Sequence, residues 1–199
     1  MKETEYFYAA HSAFAYLGSK KLMSIANTAE CRIVHKPVDL NRCIAAGGAP
    51  AFGARSKAHV DYYFGTEINR WSEYRGAPVL GFIPTHHNND TSLANGMLIA
   101  GSLLGQNIDA LAHGLLEAHW RDDADLADRE TLARLGTQCG YDAEALLSEA
   151  TSANVLETYE KNTQAAIARS VFGSPTYFLD GEMFYGQDRL EFIERALAR

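Results

Sequence analysis

The chain has 199 residues, 47% of them hydrophobic and 22% charged, and a formal net charge of −7. That length fits one domain, or one domain carrying a large insertion. The acidic balance argues against a nucleic-acid surface, which needs a basic face, and no apolar tract of about 18 residues or more offers a membrane span.

The first elements read as a β-α-β unit. Glu5-Tyr6-Phe7-Tyr8-Ala9 has the aromatic content of a short strand, and His11-Ser12 breaks it. Phe14, Leu17, Leu22 and Ile25 supply the apolar face of a helix of about 15 residues, with Gly18 as its weak point. Residues 32–38, RIVHKPV, form a second strand. A strand–helix–strand run of this length predicts a parallel pair with a right-handed crossover.

The middle of the chain reads as helical. Residues 41–54 are rich in Gly and Ala and are expected to be irregular. Residues 55–75 are expected to be helical, ended by Gly76-Ala77-Pro78. Tyr62, Tyr63, Trp71 and Tyr74 are expected to pack in the core of this segment. Residues 84–90 form a loop, with Asp90 or Thr91 as the next N-cap. Helices are predicted near 92–105, 109–120, 128–139, 142–152 and 154–170.

The last stretch, VFGSPTYFLDGEMFYGQDR, is the most informative. Thr176-Tyr177-Phe178-Leu179 reads as a buried strand, Asp180-Gly181 as a hairpin turn and Glu182-Met183-Phe184-Tyr185 as the return strand. Gly186-Gln187-Asp188-Arg189 breaks the strand before a helix over 190–198. Pro175 stands just before the first strand, where a residue without an N–H is tolerated. An X–Pro bond is trans by default. A cis bond would let Ser174 present its backbone N–H and C=O to an extended peptide.

The start of the chain, MKETEYFY, has neither a long apolar core nor a small-residue cleavage signal, so no secretory leader is expected. Cys31, Cys43 and Cys139 are odd in number and form no CxxC. Free thiols in a reducing cytoplasm are the expectation.

Two residues carry candidate chemistry. Ser12 lies where the first strand meets the first helix. It is a good N-cap, and a hydroxyl at a helix N-terminus can also donate to a thiolate held there by the helix dipole. Ser12-Ala13-Phe14-Ala15 has no cysteine, so dithiol exchange is excluded at this point. Asp188 at the start of the last helix either offsets the dipole or binds an ammonium, with N–H groups around Gln187 and Asp188 left for a neighbouring carboxylate. Ser174, Asp188 and Ser12 together describe a pocket for γ-glutamyl-cysteinyl-glycine. His86-His87, and His113 with Glu117, are weak metal-ligand patterns, and no metal site is assigned.

AHSAFAYLGS, SKAHVDYYFGTEINRWSEYRGAPV and VFGSPTYFLDGEMFYGQDRL resemble the 2-hydroxychromene-2-carboxylate isomerases, which are DsbA-like and kappa-class glutathione transferase-like proteins. The resemblance implies an α/β fold. A thioredoxin-like domain (β-α-β plus β-β-α, residues 1–40 and 171–199) would be split by an all-helical insertion over 41–170. It implies reduced glutathione as cofactor, a small aromatic acid substrate and a cytoplasmic homodimer. Carried over by position, Ser12 is the catalytic serine, Ser174 the backbone contact before a cis Pro175, and Tyr185-Gly186-Gln187-Asp188 the glutathione head-group segment. Lys57 falls near a family lysine, where its ammonium would meet a carboxylate. Arg42, Tyr63, Trp71 and Pro84 are the candidates for substrate contact. The implied reaction opens the chromene ring through a transient glutathione adduct and releases trans-o-hydroxybenzylidenepyruvate. The alternatives are a kappa-like glutathione transferase and a thioredoxin-fold binding protein without chemistry. Three stretches depart from the family pattern: Ser12-Ala13 in place of Ser-Pro, Ala45 to Pro50 in place of a loop with Asn and prolines, and His86-His87-Asn88-Asn89 in place of a more apolar segment.

Overall fold

A computed structural model describes residues 2–50 and 52–199. Strands β1 (Glu3–Tyr8), β2 (Arg32–Pro37), β3 (Thr176–Leu179) and β4 (Glu182–Tyr185) form one sheet in the order β2-β1-β3-β4. β1 and β2 are parallel and are joined through α1 (Ala13–Thr28). β3 runs antiparallel to both β1 and β4. Asp180 and Gly181, both at positive φ, make the hairpin turn, as the Asp-Gly pair predicts. The chain then passes through a 3-10 turn (Gln187–Arg189) into helix α10 (Leu190–Leu197).

Between β2 and β3 the structure is helical: α2 (Leu40–Ala46), a 3-10 turn (Phe52–Ala54), α3 (Lys57–Val60), a π segment (Asp61–Thr66), α4 (Glu67–Arg75), α5 (Ser92–Leu103), α6 (Asp109–Asp122), α7 (Arg129–Gln138), α8 (Ala143–Glu149) and α9 (Ala153–Ala168). The stretch 41–54 is therefore not wholly irregular, although Ala51 lies outside the described residues. Asp39 caps α2 by accepting from Arg42 N at 3.1 Å, and Leu40, Cys43 and Ile44 bury one face at i, i+3 and i+4 spacing. The small residues that follow them, Ala45 to Ala49, masked that pattern.

The expected aromatic packing also needs correction. Ile68 is buried and Tyr63 and Trp71 half-buried, but Tyr62 is 55% and Tyr74 72% exposed. Guanidinium groups cover these outer rings instead: Arg70 lies 5.9 Å from Tyr62 and Arg75 5.4 Å from Tyr74.

The alternation of β1 divides the core. Phe7 packs on one face of the sheet with Val38, Cys43, Ala166, Val171 and Phe178. Tyr6 and Tyr8 point to the other face, into a cluster that runs without a break from Tyr177 to Leu98, Leu115 and Leu146 in the helical part. Sheet and helices thus share one core. A polar link crosses the same boundary: Tyr8 donates to His35 Nδ1 at 2.9 Å, and His35 Nε2 donates to Asp109 Oδ1 at 2.8 Å. Cys31, Cys43 and Cys139 are free thiols. No described helix is long and apolar enough to cross a membrane.

Candidate active site

Ser12 occupies the N-cap of α1 in extended backbone (φ −73°, ψ 121°) and is buried. Its Oγ accepts from Ala15 N at 3.3 Å and donates to the Ser174 carbonyl at 3.2 Å. Ser174 Oγ in turn accepts from Ala9 N at 3.3 Å. These bonds join the end of β1, the start of α1 and the lead into β3. The Ser174–Pro175 bond is cis, against the default for proline. Pro175 is buried, and its carbonyl accepts from Gly186 N at 2.9 Å, which seats the turn after β4 beside Ser174.

Gly186 is required in that turn. Its φ is +94°, and a Cβ there would meet the Asp188 carboxylate at 2.3 Å. The next residue, Gln187, is buried and held by Arg75 of α4. Arg75 donates through Nε to Gln187 Oε1 at 3.1 Å, through Nη2 to the Gln187 carbonyl at 3.2 Å, and through Nη1 to Glu191 at 2.9 Å. The carboxamide oxygen of Gln187 is thus committed to Arg75, leaving Asp188 as the outward group. Asp188 pairs with Arg189 at 2.5 Å on the partly exposed rim.

Two neighbouring cavities meet at this seam and share Phe14, Tyr63, Ser174 and Tyr185 as lining. The outer one, about 260 Å³, is lined by Trp71 and the turn from Gly186 to Arg189. The inner one, about 70 Å³, is lined by Ser12, His11, Arg55, His87, Trp120 and Phe172. Larger hollows of about 640 and 710 Å³ lie beside β2 and beside α6–α7, but they contain neither Ser12 nor the 186–189 turn. Burial, and then the neighbouring Tyr185 hydroxyl, push the Tyr63 phenol well above its usual pKa, so Tyr63 is a neutral hydroxyl at the seam.

The structure therefore brings together Ser12, Ser174, Tyr185, Gly186, Gln187, Asp188, Tyr63 and Trp71. It does not bring in four other expected residues. Lys57 is exposed and pairs with Asp61 one turn along its own helix, at 2.5 Å. Arg42 faces α9, where both Nη atoms pair with Glu160 at 2.6 and 2.9 Å. Pro84 is buried outside both cavities, but its carbonyl accepts from His87 N at 3.0 Å and so helps to place that residue. Pro175 lines neither cavity; its carbonyl accepts from Gly186 N.

The main surprise is a histidine trio behind the inner cavity. His119 is fully buried, and its Nδ1 donates to the Ala124 carbonyl at 2.9 Å. His87 Nδ1 lies 3.0 Å from His119 Nε2. His11 packs edge-on against His87 at 5.1 Å between ring centres, with its Nδ1 3.2 Å from Thr91 Oγ1. Burial, then the neighbouring His119, lowers the pKa of His11 to about 4. Burial, then His11 and His119, lowers that of His87 to about 3. Burial lowers His119 as well. All three rings are neutral near pH 7. Among the described residues no three His, Cys, Asp or Glu side chains are grouped as a metal site. The pair His86-His87 was the only trace of this trio in the sequence; nothing local linked it to His11 or His119.

Residues 4–198 match the family model of the DsbA-like thioredoxin domain. The chain is 30% identical to the 2-hydroxychromene-2-carboxylate isomerase of Pseudomonas putida over 98% of its own length and 94% of the relative's. It is 27% identical to the enzyme of that name from Sphingobium xenophagum, over 98% of each chain. A solved 2-hydroxychromene-2-carboxylate isomerase superposes with a TM-score of 0.84 at 27% identity, covering 99% of this chain and 95% of the other. The cytosolic disulfide reductase DsbM from Pseudomonas aeruginosa superposes with a TM-score of 0.70 at 16% identity, over 99% of this chain and 100% of the other, a likeness of fold alone. With Ser12 at the helix N-terminus, where dithiol members of the fold need a cysteine, the chain belongs to the 2-hydroxychromene-2-carboxylate isomerase family of DsbA-like thioredoxin-domain proteins.

Proposed function

We propose that this chain is a glutathione-dependent isomerase acting on 2-hydroxychromene-2-carboxylate or a related hydroxylated aromatic acid. The observation that carries the reading is the seam at Ser174, where a cavity beside the Ser12 hydroxyl shares a wall with a second cavity beside Asp188. Glutathione carries its thiolate on the central cysteine and its ammonium on the terminal γ-glutamyl group, so it needs an anion site for the one and a carboxylate for the other. Ser12 at the N-terminus of α1 suits the first, and the Asp188 carboxylate suits the second.

When bound, reduced glutathione supplies a nucleophilic thiol that can add to and leave a conjugated carbon, freeing the adjacent bond to rotate. The residues of the chain prepare that chemistry. Ser12 would hold the thiolate by donating its hydroxyl, with the partial positive charge of the first turn of α1 beside it. Asp188 would hold the ammonium, and the adjoining Arg189 would serve the neighbouring carboxylate. Phe14, Phe172 and Trp120 line the inner cavity and offer flat surfaces to an aromatic ring.

Calorimetric titration with reduced glutathione tests the reading. Saturable binding is expected, and Asp188→Ala should weaken it by about 1.5–3 kcal/mol, the range for a hydrogen bond to a charged group. No heat of binding at millimolar glutathione would remove the proposal.

A further inference from the structure

The inner cavity has a wall in a stretch where this sequence departs from its family's pattern, at His87. Its protonation pattern is dictated from outside the cavity. A backbone carbonyl can only accept, so the Ala124 oxygen requires a hydrogen on His119 Nδ1. His119 is neutral, so its Nε2 is a bare lone pair. That lone pair lies 3.0 Å from His87 Nδ1, which must therefore carry the hydrogen of the bond between them. His87 is neutral in turn, which leaves its Nε2 as an acceptor. No described group hydrogen-bonds to that nitrogen, which is not fully buried, and the ring lines the cavity.

An acceptor held this way, on a cavity wall that also carries Phe14, Trp120 and Phe172, calls for a ligand that donates. A carboxylate cannot donate and would be repelled by the lone pair; a hydroxyl fits. We propose that His87, fixed as the Nδ1–H tautomer by His119 and Ala124, accepts the hydrogen bond of the hydroxyl on the aromatic acid substrate and selects for acids that carry one. The acid's carboxylate is then directed away from His87, toward the side of the cavity lined by Arg55. This inference rests on the isomerase reading and names the group that reads its substrate.

The test uses two probes, 2-hydroxyphenylpyruvate and phenylpyruvate, titrated into the wild type and His87→Phe with reduced glutathione present. The expected result is a preference of about tenfold or more for the hydroxylated acid in the wild type, the discrimination that one such hydrogen bond supports. His87→Phe should bind the two acids equally. If the wild type binds both acids alike, or if His87→Phe keeps the preference, the inference fails and the isomerase reading stands. If neither acid binds the wild type while glutathione does, the inference fails; if glutathione itself does not bind, the isomerase reading falls with it. A measurement on the unmodified protein guards against a misfolded variant: long-range ¹⁵N–¹H correlation of the imidazoles should show Nδ1–H at both His87 and His119. An Nε2–H tautomer at His87 would overturn the inference by itself.

Discussion

Ser12 illustrates how one hydroxyl can carry two duties. As an N-cap it accepts from Ala15 N, and as a donor it reaches the Ser174 carbonyl 162 positions away. Ser12→Ala should lower stability by about 0.5–2 kcal/mol, the usual range for a lost cap. It should lower kcat/KM of the proposed isomerisation about 10- to 150-fold, the equivalent of 1.5–3 kcal/mol from a lost charged hydrogen bond. Thermal melting and steady-state kinetics separate the two effects, and unchanged kinetics would leave Ser12 a cap only. The capping role was legible in the sequence because a cap acts over three residues. The roles expected for Lys57 and Arg42 were not reliable, because residue type says nothing about which acid lies nearby: Asp61 and Glu160 hold them elsewhere.

At the scale of elements, the turn after β4 is held by two neighbours. Arg75 clamps it from α4, and α1 presses against it at Gly18. A Cβ at Gly18 would sit 2.6 Å from Gln187 Cβ and 3.2 Å from Leu190 Cδ1. The glycine that looks like a flaw in helix α1 is what lets that helix approach the turn after β4. Gly18→Ala should therefore destabilise the protein, by about 1–3 kcal/mol as overpacking does, even though alanine is the better helix former. A denaturant midpoint at or above the wild-type value would show that the contact yields freely. Arg75→Met keeps much of the apolar stem but removes three hydrogen bonds to Gln187 and Glu191. It should raise the Kd for glutathione while leaving kcat at saturation nearly unchanged, because the clamp places Asp188 and not Ser12. A loss confined to kcat would contradict that division.

The whole molecule responds to pH through its buried histidines. Burial is the first cause that lowers the pKa of His11, His87, His113 and His119, while those residues in the unfolded chain titrate near 6.5. Below that pH the unfolded chain takes up protons that the fold refuses, so stability is full above about pH 6.5 and falls as pH drops. The loss should run down to about 4 for His11 and about 3 for His87. Asp123 and Asp125 near His119, and Glu117 near His113, oppose the trend; His86, Lys20 and Arg121 reinforce it. The melting temperature should be clearly lower at pH 5 than at pH 7.5, and less so in His87→Phe. A flat profile between those values would show that the trio is solvated.

The sequence by itself determined what short-range chemistry can determine. Asp180-Gly181 specifies a hairpin because its backbone suits positive φ, Ser12 announces the start of α1, and the order of elements gives a thioredoxin-like domain with helices between its halves. Only the tertiary structure decided that sheet and helices share one core, that Gln187 is committed to Arg75, and that His11, His87 and His119 stand together behind the site. Those contacts join residues 32 to 112 positions apart. No local pattern encodes them, because a buried polar group takes whichever partner the packing of the whole chain leaves within reach.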